Sequence, residues 1–200
     1  YDQWGKLIWR YWDEYSETIV RISQDGNYII CASYVTGLAH YFSHLADGIP
    51  GWGPLDGTPV WTMSHPWIPP NGWNAFWVAI SGLGDYVAIS GASSVYLGNY
   101  VSLWNGRNGT LIWLDNNVKG TFIRVDMPCN GKSVVAVNDD PSNSVGCELR
   151  YYSEAGGLGP GWDSNDNIPT WIYDPALSPN DDFYSVAISG NGDVIATGPA

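Results

Sequence analysis

Along the whole chain, short runs of Ile, Val and aromatic residues alternate with clusters of Gly, Asn, Asp and Ser, and the alternation itself repeats. Four stretches share one pattern: an apolar run, a turn holding Gly with Asn or Asp, and a second apolar run ending in small residues. They read TIVRISQDGNYIICAS from Thr18, FWVAISGLGDYVAISG from Phe76, TFIRVDMPCNGKSVVAV from Thr121 and FYSVAISGNGDVIATG from Phe183. Their turn glycines, Gly26, Gly84, Gly131 and Gly192, lie 58, 47 and 61 residues apart. Such runs, broken by residues that tolerate positive φ, predict tight β-hairpins rather than helices. No stretch of a dozen residues carries apolar positions at helical spacing. The nearest approach, residues 36–48, predicts one short helix at most, or an ordered loop.

A second signature follows each of the first three hairpins: DGTPVWTM around Trp61, NGTLIWLD around Trp113 and NIPTWIYD around Trp171. A fourth example, WGKLIWRYWD around Trp9, opens the chain with no hairpin before it. Each unit is thus expected to run strand, tight turn, strand, loop, strand, turn, Trp-bearing strand, a four-stranded antiparallel meander. Repetition at this period points to sheets packed radially around an axis, a β-propeller, in preference to a sandwich, which requires no repeat. The small residues Ala32, Ser33, Ser90, Gly91, Ala196 and Gly198 suit strands crowded near that axis.

The paired signatures resemble the WD40-like and PQQ-like (quinoprotein-type) propeller repeats found in many extracellular prokaryotic proteins. The half that reads VAIS, turn, GDYVAISGAS is similar to the family's strand-turn-strand core, and GTLIW and GKLIW to its closing strand. The resemblance covers essentially the whole chain and implies architecture rather than activity. Quinoprotein dehydrogenases of this kind use a vicinal Cys pair beside the cofactor. This chain has no Cys-Cys, so no cofactor is expected.

The expected organisation is one propeller domain over residues 1–200. Residues 18–66, 67–119 and 120–177 form blades, residues 178–200 the first half of a split blade, and residues 1–17 its closing strand. From turn glycine to closing Trp takes 35, 29 and 40 residues in the three whole units, but only eight residues follow Gly192. Joining the two ends leaves the fourth unit about one strand and its turn short. Three arrangements fit: closure within the chain as a three-stranded blade, a segment of a longer protein, or completion by a neighbouring chain. An open half-sheet is adhesive, and head-to-tail strand addition between identical subunits yields filaments. On that reading Leu7, Ile8, Trp9, Tyr11 and Trp12 contact another subunit.

Composition narrows the setting. A net charge of -12, with 8 basic against 20 acidic residues, argues against a nucleic-acid partner. Twelve Trp, 13 Tyr and 24 Gly suit an ordered chain with an aromatic core. No apolar run approaches the length of a membrane span, and a secreted or cell-surface location is expected. Cys129 and Cys147 are candidates for a disulfide within one blade, which suits that location; two separate thiols are the alternative, and Cys31 reads as a buried small residue. Asn108, in the sequon Asn108-Gly109-Thr110, is a candidate N-glycosylation site.

Chemistry is sparse. His40 and His44, four apart, would share a helix face, but no motif supplies further zinc ligands. The four Glu show no glycosidase pairing, and no serine sits in a nucleophile elbow. The loops NDDPSNS and DSNDN concentrate oxygen ligands, yet Ile168 stands where a calcium loop needs glycine, so solvated turns are expected. Trp52, Trp67 and Trp73 lie in a Gly/Pro-rich segment where exposed indoles could stack on sugars; covering blade edges or a subunit contact is the favoured use. The sequence therefore reads as a non-catalytic structural or interaction protein, a fibre or surface-layer subunit joined to its own copies, with a carbohydrate-binding propeller as the alternative.

Overall fold

The computed structural model describes residues 4, 6–11, 18–33, 36–44, 52–63, 73–93, 99–118, 122–139, 147–154, 161–174 and 183–199. Three four-stranded antiparallel meanders follow one another. The first holds β1 (Thr18–Ile22), β2 (Tyr28–Ser33), β3 (Ala39–Ser43) and β4 (Trp61–Met63), with a 3-10 turn at Pro54–Gly57 before β4. The second holds β5 (Trp73–Ile80), β6 (Tyr86–Ser93), β7 (Asn99–Asn105) and β8 (Leu111–Val118). The third holds β9 (Phe122–Asp126), β10 (Ser133–Asp139), β11 (Leu149–Ser153) and β12 (Trp171–Tyr173). The fourth sheet has two strands, β13 (Phe183–Ile188) and β14 (Ile195–Pro199).

The repeated turns form as the sequence requires. Gly26, Gly84, Gly131 and Gly192 all take φ between 68° and 86°, a region that a Cβ disfavours. The three expected closing tryptophans, Trp61, Trp113 and Trp171, lie in β4, β8 and β12. Within residues 36–48, Ala39–Ser43 depart from expectation: His40 pairs with Thr62 and Cys31, and Tyr41 with Trp61 and Ile30, as strand β3, while residues 45–48 lie outside the described residues. Burial on both faces masks any alternation there, because all five residues of β3 are buried.

The first strands of successive sheets contact one another, β1 with β5, β5 with β9 and β9 with β13, which places them innermost and β4, β8 and β12 outermost. No contact of similar extent joins β13 back to β1 among the described residues. Among the described residues the sheets make an open fan of blades.

Between blades lies the core. Consecutive residues of β6 serve opposite sides: Val87 and Ile89 pack with Tyr28, Ile30 and Tyr41 of blade 1, while Ala88 faces Val125, Val134 and Tyr152 of blade 3. A strand covered on both faces reads as a continuous apolar run. Each fully buried Val or Ile contributes about 1.5–3 kcal/mol relative to exposure. At the ends of the fan that burial is missing, with Val20 and Ile22 of β1 51% and 58% exposed.

Candidate functional site at the open blade junction

The junction of blades 1 and 2 shows how a closed joint is made. The Trp61 indole stacks on Tyr41 of its own blade, centroids 5.0 Å apart and planes 7° from parallel, and donates its N–H to the Gly106 carbonyl of the next blade at 2.7 Å. Tyr41 in turn donates its hydroxyl to the Gly84 carbonyl at 2.7 Å. Burial pushes the Tyr41 hydroxyl well above the usual phenol range. Above these rings sits Arg107, on the β7–β8 turn. Its Nε donates to Asp85 at 2.8 Å, Nη2 to the Leu83 carbonyl at 3.1 Å and Nη1 to the Tyr28 hydroxyl, while its guanidinium lies 4.5 Å from the Tyr28 ring centre. The outer hairpin of blade 2 thus plugs into a cradle made by both blades.

A second device joins the blades through main chain alone. Asp25 N–H donates to the Gly82 carbonyl, Gly82 N–H to Cys129, and Cys129 N–H to Gly190, at 3.2, 2.8 and 3.0 Å. Every bond runs from one hairpin turn to the next, in the same direction.

The joint of blades 2 and 3 is charged. Arg150 of β11 is buried between Asp115 of β8, at 2.8 Å, and Glu148, at 2.7 Å, and also reaches the Asn117 carbonyl. Tyr152 donates to the same Asp115 carboxylate at 2.7 Å. Burial opposes the Arg150 charge, but Tyr152, Glu148 and Asp115 outweigh it and its pKa is raised. The Tyr152 hydroxyl is pushed far up by burial and by Asp115. With all three charges satisfied, the network joins two sheets rather than offering a reactive group.

Blades 3 and 4 repeat the first joint with one side missing. Trp171 stacks on Tyr151 at 5.1 Å and 3°, as Trp61 does on Tyr41. No outer strands of blade 4 are present among the described residues, and Trp171, Ile172 and Tyr173 stand 40%, 48% and 53% exposed. Beside them opens a cleft of about 420 Å³ whose lining includes Ser133, Tyr151, Glu154, Gly192 and Asp193. An exposed apolar strip next to a polar cleft is a docking surface in form.

The residues singled out from sequence are distributed as follows. Trp9 and Tyr11 pack against Phe42 of blade 1, Leu7 is exposed, Ile8 is half-buried, and Trp12 lies outside the described residues. Trp9 meets Phe42 at 5.2 Å and Trp52 at 5.6 Å, and touches Gly57 as Trp61 touches Gly109, the equivalent turn glycine one blade on. Trp9 thus stands toward blade 1 as Trp61 stands toward blade 2, although residues 6–11 form no strand and pair with no sheet among the described residues. Trp52 is half-buried and donates its N–H to the Gly26 carbonyl at 2.7 Å; Trp73 begins β5, and Trp67 lies outside the described residues. Asn108 is exposed in the β7–β8 turn. His40 faces Thr62 and Tyr11 from strand β3, where no helix aligns it with His44.

One expectation is corrected: no disulfide joins Cys129 and Cys147. Cys129 lies in the turn before β10 and Cys147 beyond that strand's other end. A seven-residue strand spans about 20 Å, far beyond the reach of an S–S bridge. Cys129 instead serves the turn-to-turn ladder, so the cysteines lend no support to an oxidising location.

Arg107 escaped sequence reasoning, since a lone arginine in a polar turn reads as solvated. A further repeat was legible and missed: Trp52, Asp56 and Trp61 recur as Trp162, Asp166 and Trp171 with identical spacing. In both, the aspartate accepts the backbone N–H three residues earlier, at 2.7 and 2.8 Å, and the first tryptophan donates to its blade's turn glycine. Within DSNDN, Asp166 is buried in a built turn, while Ser164 and Asn165 are exposed.

No model of a known protein family matches the chain. No curated protein matches it either. Solved structures match in number, 315 chains, so the likeness is to a fold rather than to one protein. Among them is the Cps50 (Swd1) β-propeller domain of Myceliophteria thermophila, with 13% sequence identity and a TM-score of 0.58. The match covers 91% of this chain and 48% of that one, so the chain spans about half the length of the solved domain it resembles. The fold is accordingly a β-propeller, all-β and built of four-stranded antiparallel blades.

Proposed function

We propose that this propeller, of WD40-like and PQQ-like repeat type, is a non-catalytic, secreted or surface-displayed assembly module that joins copies of itself head to tail. The observation that carries the reading is the contrast between two equivalent tryptophans: Trp61 is capped by the next blade, whereas Trp171 heads an exposed strip beside a blade with two strands. The turn ladder supports it, because its bonds all run one way, from the Asp25 N–H of blade 1 to the Gly190 carbonyl of blade 4. A second copy that continues this direction brings its residues 6–11 to the open blade. Heterologous contacts of this kind propagate as filaments unless the rotation closes a ring.

Deletion of residues 1–12 tests the reading. The full chain is expected to sediment as oligomers, and the shortened chain as folded monomers by circular dichroism and sedimentation velocity. Oligomerisation undiminished by the deletion overturns it. The carbohydrate-binding alternative has less behind it, since the Trp52 indole N–H is committed to Gly26 and its ring to Trp9 and His44.

A further inference from the structure

Arg21 of β1, Trp77 of β5 and Arg124 of β9 meet on the innermost strands of the first three blades, each of which carries all four of its strands. The Arg21 guanidinium lies over the Trp77 ring, 5.1 Å from its centre, and that of Arg124 lies over the same ring at 4.6 Å. Trp77 and Arg124 hold the same place in their blades, seven residues before the turn glycines Gly84 and Gly131. Arg124 also lies over the Tyr184 ring at 4.2 Å, so two aromatic rings hold it.

What these cations lack sets them apart. Arg107 and Arg150 are paired with carboxylates, whereas Arg21 and Arg124 make no ion pair among the described residues. Arg21 Nη1 donates to the adjacent Val20 carbonyl at 3.0 Å, and the Arg124 side chain makes no hydrogen bond among the described residues. Asp126, the carboxylate of β9, instead accepts the Ile188 N–H at 2.9 Å. A guanidinium laid over a ring has its face covered and keeps its N–H donors in plane, at the edge. Both arginines are half-buried, so those edges reach solvent. Because both stand against one ring, the guanidinium centres are at most about 10 Å apart.

We propose that Arg21 and Arg124 form a two-point oxyanion site around Trp77, on the innermost strands, for a compact ligand that carries two linked carboxylate or phosphate groups. Each guanidinium edge takes one group through a pair of charge-assisted hydrogen bonds. Trp77 fixes the separation and direction of the two forks. The net charge of -12 repels a long polyanion, so the fitting ligand is a small one whose charges are all met locally. The inference goes beyond the assembly reading, because the three residues belong to blades that are whole in a single chain.

Titration calorimetry of the full chain at fixed ionic strength, with inorganic pyrophosphate and with citrate as separate probes, tests the site. At least one probe is expected to bind, and the tighter of the two tells whether the forks prefer phosphate or carboxylate. Orthophosphate, with a single group, should bind about tenfold more weakly than pyrophosphate if phosphate is preferred, and acetate about tenfold more weakly than citrate if carboxylate is. Arg21→Gln and Arg124→Gln should each weaken binding about tenfold, as loss of one charge-assisted fork predicts. Lys132→Gln removes the same charge from an exposed position and should change affinity about twofold or less. Arg124→Lys keeps the charge without the fork and should bind nearly as weakly as Arg124→Gln. Circular dichroism verifies that each variant is folded. Binding of neither probe, a single-group anion bound as tightly as its two-group counterpart, losses no greater than that of Lys132→Gln, or full affinity in Arg124→Lys overturns the proposal. Sedimentation of the chain without ligand reads self-assembly separately.

Discussion

Tyr41 and Gly84 are joined across a blade boundary by a 2.7 Å hydrogen bond from phenol to carbonyl, with the Trp61 ring stacked flat on the tyrosine. Tyr41→Phe keeps the stack and removes the bond, leaving a carbonyl to be satisfied otherwise. A loss of about 1 kcal/mol is expected in urea unfolding.

The same tyrosine sets an alkaline limit. Burial raises the folded-state pKa of Tyr41, and Tyr100 and Tyr152 behave alike. Protons are then held more tightly in the folded state than in the unfolded chain, where phenols titrate near about 10. The stabilisation is complete below about pH 10 and is lost as pH rises further. Denaturation midpoints flat to that point and falling beyond it are expected, and Tyr41→Phe should shallow the fall.

Arg150 makes a sharper prediction. Arg150→Met leaves Asp115 and Glu148 buried without their cation, a change that costs about 3–5 kcal/mol. Chemical denaturation should show it as a large fall in midpoint, whereas Arg107→Met, at a half-exposed ion pair with Asp85, should cost about 1 kcal/mol or less.

Two glycines with nearly the same φ should respond differently. Gly26, at 74°, has open space where a Cβ would stand, so Gly26→Ala meets only the left-handed strain of about 1–2 kcal/mol. Gly84, at 71°, faces the Tyr28 ring and the Tyr41 hydroxyl, so Gly84→Ala adds a collision. The second variant should melt clearly below the first; equal melting temperatures would show that the cradle yields at no cost.

Trp61 and Trp171 offer an internal control. Trp61→Ala removes a ring that spans two blades and should cost about 3 kcal/mol. Trp171→Ala removes an exposed ring and should leave the unfolding midpoint within about 1 kcal/mol while weakening self-association, read by sedimentation.

Local chemistry was legible in the sequence. The positive-φ glycines and the closing tryptophans are fixed by residues within a few positions of one another, and each stands where the repeats predicted. Strand β3 was not legible, because His40, Tyr41 and Phe42 are buried on both faces and present neither a two-residue nor a helical period. Cys129 and Cys147 misled because closeness along the chain says nothing about which end of an intervening strand each occupies. The cleft beside the fourth blade was hidden for a deeper reason: Ser133, Tyr151 and Asp193 converge on it from two strands and a turn.

The ladder of turns has one further consequence. Asp25, Gly82, Cys129 and Gly190 differ in charge, size and reactivity, yet each gives or takes the same main-chain bond. The hub is thus indifferent to side chains, and each of the two middle blades carries a plug on one flank and a socket on the other. Blades so equipped are interchangeable parts: the length of the array is set by how many are coupled, and any foreign sheet that offers a matching turn can be the next.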